Sequence, residues 1–415
     1  MTETSIVGEV LDLVVGAVAH GGHCVSRAPD GRVVFVRHAL PGEKVRAEVT
    51  EERRGYLRAD AIEVVEASPD RVTPPCPYAG PGRCGGCDFQ HATPAAQRDL
   101  KRAVIVEQLA RLGRLSAEEI DRLGVRVEEL PGGALGWRTR LRYTVDADGH
   151  AGLLKHRSHE VVPVSSCAIA EPAIRTAAVP GGRTVTAADW PDADEIDVAV
   201  SSTGEVAITA VADGRQWPVT GPRRLHETLS VGPEDAPRVW ELPPTAFWQV
   251  HAAAAQTFVS VAMEMLAPAP GERAWDLYGG AGSFAAALGA RVGSSGSVLM
   301  VESDSRAVVA ASEALADMPW IRLIANRVEV AGKELHRQRP DVVVLDPPRS
   351  GAGARVVRML VEASPRAIAY VACDPAAFAR DVATFREAGW HLSTLRVFDA
   401  FPMTHHVECI ALLTP

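Results

Sequence analysis

The chain has 415 residues, 47% of them hydrophobic and 23% charged, with a formal net charge of −9. That is enough for two or three domains with cores of their own. The acidic balance excludes a protein that coats nucleic acid over its whole surface, though local basic strips stay compatible with it. No apolar run is long enough to cross a bilayer, and Met1 to Ile6 lacks the basic start and apolar block of a secretion signal. A cytoplasmic monomer without membrane contact is expected.

Residues 1–67 predict short strands punctuated by turns at Gly21-Gly22, Asp30-Gly31 and Pro41-Gly42. Strands at this spacing suggest a small OB-type β-barrel, a common platform for single-stranded nucleic acid. A barrel used only for packing is the competing reading, since Phe35 and Tyr56 offer little stacking surface.

Residues 68–240 predict a central domain. A proline-rich connector, Ser68 to Pro75, leads into Cys76, Cys84 and Cys87, with Gly82, Gly85 and Gly86 interleaved. Clustered cysteines in such a chain point to metal rather than disulfides. Cys167 is the available fourth ligand, and four thiolates suit either zinc or an iron–sulfur cluster. Next comes a helix with Thr93 as N-cap, Pro94 at its first position and Gly113 near its end. Leu100, Val104 and Leu109 form its apolar stripe. Arg98, Lys101 and Arg102 read as a solvated face. Arg138, Arg140 and Arg142 alternate with larger side chains, so period two puts three guanidinium groups on one strand face. Lys155 and Arg157 extend the strip. RNA phosphate is the favoured partner, and carboxylates within the protein are the alternative. The stretch from about 160 to 240 is strand-rich.

Residues 241–415 change pattern. A helix over Val250 to Leu266 precedes continuous apolar strands alternating with helices, the signature of a parallel sheet covered on both faces. Two final strands without a helix between them add an antiparallel end, as in a class I methyltransferase domain. Asp276 ends one strand. Gly279, Gly280 and Gly282 then let the backbone approach a ligand before a helix starts. Glu302, ending the next strand, is placed to hold ribose hydroxyls, while Asp304 caps a helix. Both NAD and S-adenosylmethionine fit this much. Asp346-Pro-Pro-Arg349 and Cys373 follow the next two strands, on the same rim. Cys409 alternates away from Glu408 and, like Cys24, reads as structural. A nucleotide pocket, a thiol at Cys373 and a carboxylate at Glu408 suggest methylation of an unreactive pyrimidine carbon through a covalent adduct.

Phe247-Trp-Gln249-Val, Asp276-Leu-Tyr-Gly-Gly-Ala-Gly-Ser-Phe284, Asp346-Pro-Pro-Arg-Ser-Gly351, Tyr370-Val-Ala-Cys-Asp-Pro375 and Phe401-Pro-Met-Thr-His-His-Val-Glu408 together resemble one family. It is the RNA 5-methyluridine (uracil-C5) methyltransferases with a TRAM domain and an iron–sulfur cluster. The resemblance covers nearly the whole chain. It implies that Gln249, Tyr278, Ser283, Glu302, Asn326 and Asp346 line the cofactor and target-base pocket. It makes Cys373 the nucleophile and Glu408 the base. It also favours a 4Fe–4S cluster on Cys76, Cys84, Cys87 and Cys167, with zinc as the alternative. Ribosomal RNA is the favoured substrate and transfer RNA the second. Two other readings compete: methylation of an exocyclic amine, where Asp-Pro-Pro also occurs, and a silent RNA-binding sensor of iron or oxidation.

Overall fold

A computed structural model describes residues 5–177, 192–232, 237–335 and 337–415. The strand-rich reading of 160–240 includes 178–191 and 233–236, which lie outside these. The N-terminal sheet holds β1 (Val10–Val14), β2 (Val18–Ala19), β3 (His23–Arg27), β4 (Val33–Arg37), β5 (Lys44–Arg53) and β6 (Tyr56–Glu66) in the order β1-β5-β6-β4-β3-β2. Alternation along β5 buries Val45, Ala47 and Val49 and exposes the charged residues between them. The chain leaving β1 bonds to β3 (Gly16 N to Val25 O, 2.8 Å), which draws the two ends of the sheet together into a barrel.

The long helix α1 (Pro94–Arg111) starts where expected, capped by Thr93 Oγ1 on Ala96 N. Its basic face is not all solvated. Lys101 is fully buried, with Nζ 2.5 Å from Asp399 and 3.0 Å from Phe401 O. Leu100 and Val104 pack with the barrel core and Leu109 with the C-terminal half, and a cation buried between them is tolerable only because Asp399 comes to meet it. Helix α2 (Ala117–Leu123) closes with Gly124 in a left-handed cap, and β7 (Val127–Glu129) follows.

The central sheet contains β8 (Arg140–Val145), β9 (Ala151–Leu154) and β10 (Val161–Pro163), then, after helix α3 (Pro172–Thr176), β11 (Glu195–Val200), β12 (Val206–Ala212) and β13 (Arg215–Thr220). A separate hairpin pairs β14 (Leu225–Leu229) with β15 (Arg238–Leu242). The arginines on and before β8 do not form a free RNA-binding strip. Arg140 donates to Glu227 at 2.8 Å and to the carbonyls of Pro244 and Ala246. Arg142 forms a two-pronged pair with Asp197 (2.7 Å each), its neighbour across the ladder. Lys155 pairs with Glu160. The carboxylate alternative accounts for these groups, because neighbouring strands bring acids to the same face.

The C-terminal half alternates helix and strand: α4 (Ala254–Leu266), β16 (Arg273–Leu277), α5 (Ser283–Val292), β17 (Ser297–Glu302), α6 (Ser305–Ala314), β18 (Ile321–Ala325), α7 (Gly332–Leu335), β19 (Val342–Leu345), α8 (Gly353–Ala363), β20 (Ala367–Ala372), α9 (Pro375–Glu387), β21 (His391–Asp399) and β22 (Glu408–Thr414). Its eight strands run β18-β17-β16-β19-β20-β22-β21-β7. Pairing is parallel from β18 to β20, and β22 is antiparallel to both neighbours. Strands β19 and β20 are buried at every residue, as two covered faces require. The sheet also recruits β7 in parallel beside β21, so residues 94–129 pack with this half. Among the described residues no helix is long and apolar enough to cross a membrane.

Candidate active site

The reversal of strand order between β16 and β19 opens a crevice at their carboxyl ends. There Tyr278 takes φ +64°, and Gly280 and Gly282 also have positive φ. At Gly282 a side chain would be strained, and its Cβ would press on Leu315 Cδ1 (3.1 Å) and Ala311 Cβ (3.2 Å). The turn folds onto Glu302, whose Oε2 accepts from Gly280 N (2.9 Å) and whose Oε1 accepts from Asp304 N (2.7 Å). Asp276 is fully buried, and its Oδ2 accepts from Ala285 N at 2.8 Å, fixing the start of α5. Burial pushes its carboxyl up to about 8, with Asp346 and Glu302 adding to the shift. Asp346 is pushed up to about 7 by burial and by Glu302.

Six of the anticipated residues, Gln249, Tyr278, Gly279, Gly280, Ser283 and Asp346, line one pocket together with Phe247 and Trp248. Glu302 borders it through Gly280, and Gly282 through its place at the start of α5. Asn326 stands beside Glu302, just after β18. It is exposed, and its Oδ1 accepts from Arg327 N (2.8 Å) while its own N–H donates to Glu302 O (2.8 Å).

Cys373 follows β20 and Glu408 opens β22. The antiparallel ladder ends by pairing Ala372 with Cys409; the same register carried one residue further sets Cys373 opposite Glu408, whose charge acts on the Cys373 thiol. Cys409 is buried on the other face. Cys373 is half-buried, and its thiol is pushed up to about 12 by burial, then by Glu408 and Asp346, against the opposing charge of Arg349. Burial, with Asp346, holds Glu408 well above the carboxylate range, and Arg349 again opposes. Cys373 and Glu408 therefore bind their protons more tightly than a free thiol and a free carboxyl do. The barrel touches the site as well: His20 Nε2 lies 3.1 Å from Asp374, which caps α9 through Ala377 N. Sequence reasoning missed His20, His405 and Asp88, because each meets its partner across the fold and not along the chain.

Cys76, Cys84, Cys87 and Cys167 line one cavity of about 330 Å³, beside Arg138. Gly85 docks this loop on the turn after β9, where a Cβ would sit 2.4 Å from His156 N. Burial raises the thiols of Cys84 and Cys167 and pushes Cys87 up to about 12, and each feels the charge of the others. Four thiols around one cavity form a donor set that suits zinc or an iron–sulfur cluster.

Residues 202–415 match the family described as tRNA (Uracil-5-)-methyltransferase, and residues 5–62 match the TRAM domain. An "Uncharacterized RNA methyltransferase" of Streptomyces avermitilis is 46% identical, over 99% of this chain and 99% of that protein. The "23S rRNA (uracil(1939)-C(5))-methyltransferase RlmD" of Halomonas elongata is 35% identical, over 97% of this chain and 89% of that protein. The crystal structure of Pyrococcus abyssi tRNA (uracil-54, C5)-methyltransferase in complex with S-adenosyl-L-homocysteine shares the fold, with a TM-score of 0.69 at 21% identity over 97% of this chain and 99% of that one. With its glycine-turn crevice and its thiol–carboxyl rung, the chain belongs to the TRAM-bearing RNA uracil-5-methyltransferases, enzymes that depend on S-adenosylmethionine.

Proposed function

We propose that the protein methylates carbon 5 of a uridine in ribosomal RNA through a covalent bond between Cys373 and carbon 6 of the base. The observation that carries this is the ladder register that faces Cys373 with Glu408 at the crevice mouth. S-adenosylmethionine supplies an electrophilic methyl group on a sulfonium, and the pocket of Gln249, Tyr278, Gly280, Ser283 and Asp346, bordered by Glu302, suits its adenosine end. The Cys373 thiolate adds to carbon 6, opening the 5,6 double bond and pushing its electron pair toward carbon 5 and oxygen 4. Carbon 5 would then take the methyl group, with the sulfur–methyl bond breaking to leave S-adenosyl-L-homocysteine. The Glu408 carboxylate removes the proton from carbon 5, the double bond re-forms and the thiolate leaves. Burial raises both groups, and Arg349 is the nearby cation that favours the charged forms in which they act. The target uridine must leave its stack to reach this rim. An amine acceptor would need no thiol facing a carboxyl.

The reading extends to a 4Fe–4S cluster on Cys76, Cys84, Cys87 and Cys167, supported by the cavity they share. It would add no step to the reaction and would hold the loop that follows Cys87. Iron content and a visible absorption shoulder in anaerobically purified protein check it, and zinc without iron would refute it. Ribosomal rather than transfer RNA is supported by the Halomonas relative and is checked by mapping 5-methyluridine in both RNAs of a deletion strain.

The mechanism is tested with 5-fluorouridine RNA, in which fluorine blocks the elimination. Wild type should be trapped as a covalent complex, and Cys373→Ala should give none. Glu408→Gln should form the adduct and release product at least a hundredfold more slowly, the lower range for losing a general base. Full methylation by Cys373→Ala would refute the covalent route.

A further inference from the structure

The loop between β21 and β22 delivers Glu408, and it is not held by its own strands alone. Met403, buried in this loop, sits at φ +70°, a conformation that costs energy for a residue with a side chain. Such strain persists where surrounding bonds fix it. Here Met403 N donates to Gln97 Oε1 (2.8 Å), and Met403 O accepts from both Asp88 N and Phe89 N (2.9 Å each). Two residues on, the Asp88 carboxylate takes a pair of bonds on one oxygen. His405 N donates to Asp88 Oδ2 at 3.1 Å and His405 Nδ1 donates to it at 2.6 Å. The other oxygen faces Arg37 of the barrel at 3.5 Å. Asp88 is 6% exposed and touches neither the cofactor pocket nor the Cys373 rim. Its contacts nonetheless fall at positions 403 and 405, immediately before Glu408.

Glu408 itself is paired to Phe398 on one side, and on the other it faces the rung of Cys373. A shift of the loop by a fraction of an ångström would therefore move the carboxylate against the base without disturbing the thiol, which rides on β20. We propose that Asp88 is a positioning residue for proton removal: through His405 it holds the Glu408 carboxylate in register with the carbon bound to Cys373. The proposal rests on the reading of Glu408 as the base. It gives the segment after Cys87 a part in one chemical step rather than in RNA binding at large.

The test uses full-length, cluster-loaded enzyme with RNA and methyl donor. Asp88→Asn keeps size and removes the charged acceptor. Its kcat should fall tenfold or more with the KM for RNA within twofold of wild type. Methylated RNA–protein adduct should accumulate on ordinary uridine RNA, seen as a slow band on a denaturing gel. Trapping by 5-fluorouridine RNA should proceed at the wild-type rate. His405→Ala, which leaves the cysteine loop untouched, should reproduce this phenotype, and His405→Asn, which keeps a donor, should restore most of the turnover. Asp88→Asn with turnover within twofold of wild type would overturn the proposal. So would equal losses of trapping and turnover in both Asp88→Asn and His405→Ala, the mark of a merely structural role. Should Glu408→Gln accumulate no adduct, the assignment of the base fails first, and that result is distinct from either.

Discussion

Asp276 has one carboxyl oxygen on Ala285 N and the other on no partner, in a site with no solvent exposure. Its folded-state value near 8 lies above the ordinary 3.8, so the folded form binds the proton more tightly than the unfolded chain. The stability this group contributes is complete below about pH 4 and is lost as pH rises through 8. Asp276→Asn keeps an oxygen for Ala285 N and has no proton to lose. The fall in the urea midpoint between pH 6 and pH 9 should shrink in that variant, and an unchanged fall would show that other groups carry it. At this scale the sequence was informative where strand tips decide. Cys373, Asp346 and the glycine turn were legible because a parallel sheet gathers its strand ends on one rim. Asn326 obeys the same rule, following β18 beside Glu302. Asp88 and His405 were not legible, since nothing local brings together groups so far apart in the chain.

Strand β8 shows the same limit for elements. Period two correctly put Arg140 and Arg142 on one face, but the pattern of one strand does not name what the next strand presents. Glu227 and Asp197 arrive from β14 and β11. The two pairs should differ sharply in weight. Arg140 and Glu227 are nearly buried, and Arg140→Ala would strand a charge, at a cost of about 3–5 kcal/mol in chemical denaturation. Arg142 is half exposed, and Arg142→Ala should cost about 1 kcal/mol or less. Neither change should alter the salt slope of RNA binding, because neither guanidinium is free for phosphate. A slope reduced by either variant would restore the strip to the RNA interface. Lys101 was misread for a related reason: a helix face rich in cations looks solvated until Asp399 is seen above it.

Over the whole molecule, the family match at 202–415 starts after α1 and β7, yet the catalytic sheet takes β7 as its edge and α1 packs against α9. A fragment of residues 202–415 would bare the β21 edge, the apolar face of α9 and the unpaired Asp399. It should unfold without a cooperative transition in calorimetry, whereas the full chain should show one; a sharp transition in the fragment would contradict this. Barrel, central sheet and parallel sheet were readable from strand spacing and apolar runs, but the return of β7 was not, because three residues carry no pattern. That return also sets a timetable. A ribosome makes β7 long before its partner β21. The early segment must wait while the chain between them emerges. The late stretch that carries β21 leads straight into Glu408, so a nascent chain cannot touch RNA chemically until that stretch is out.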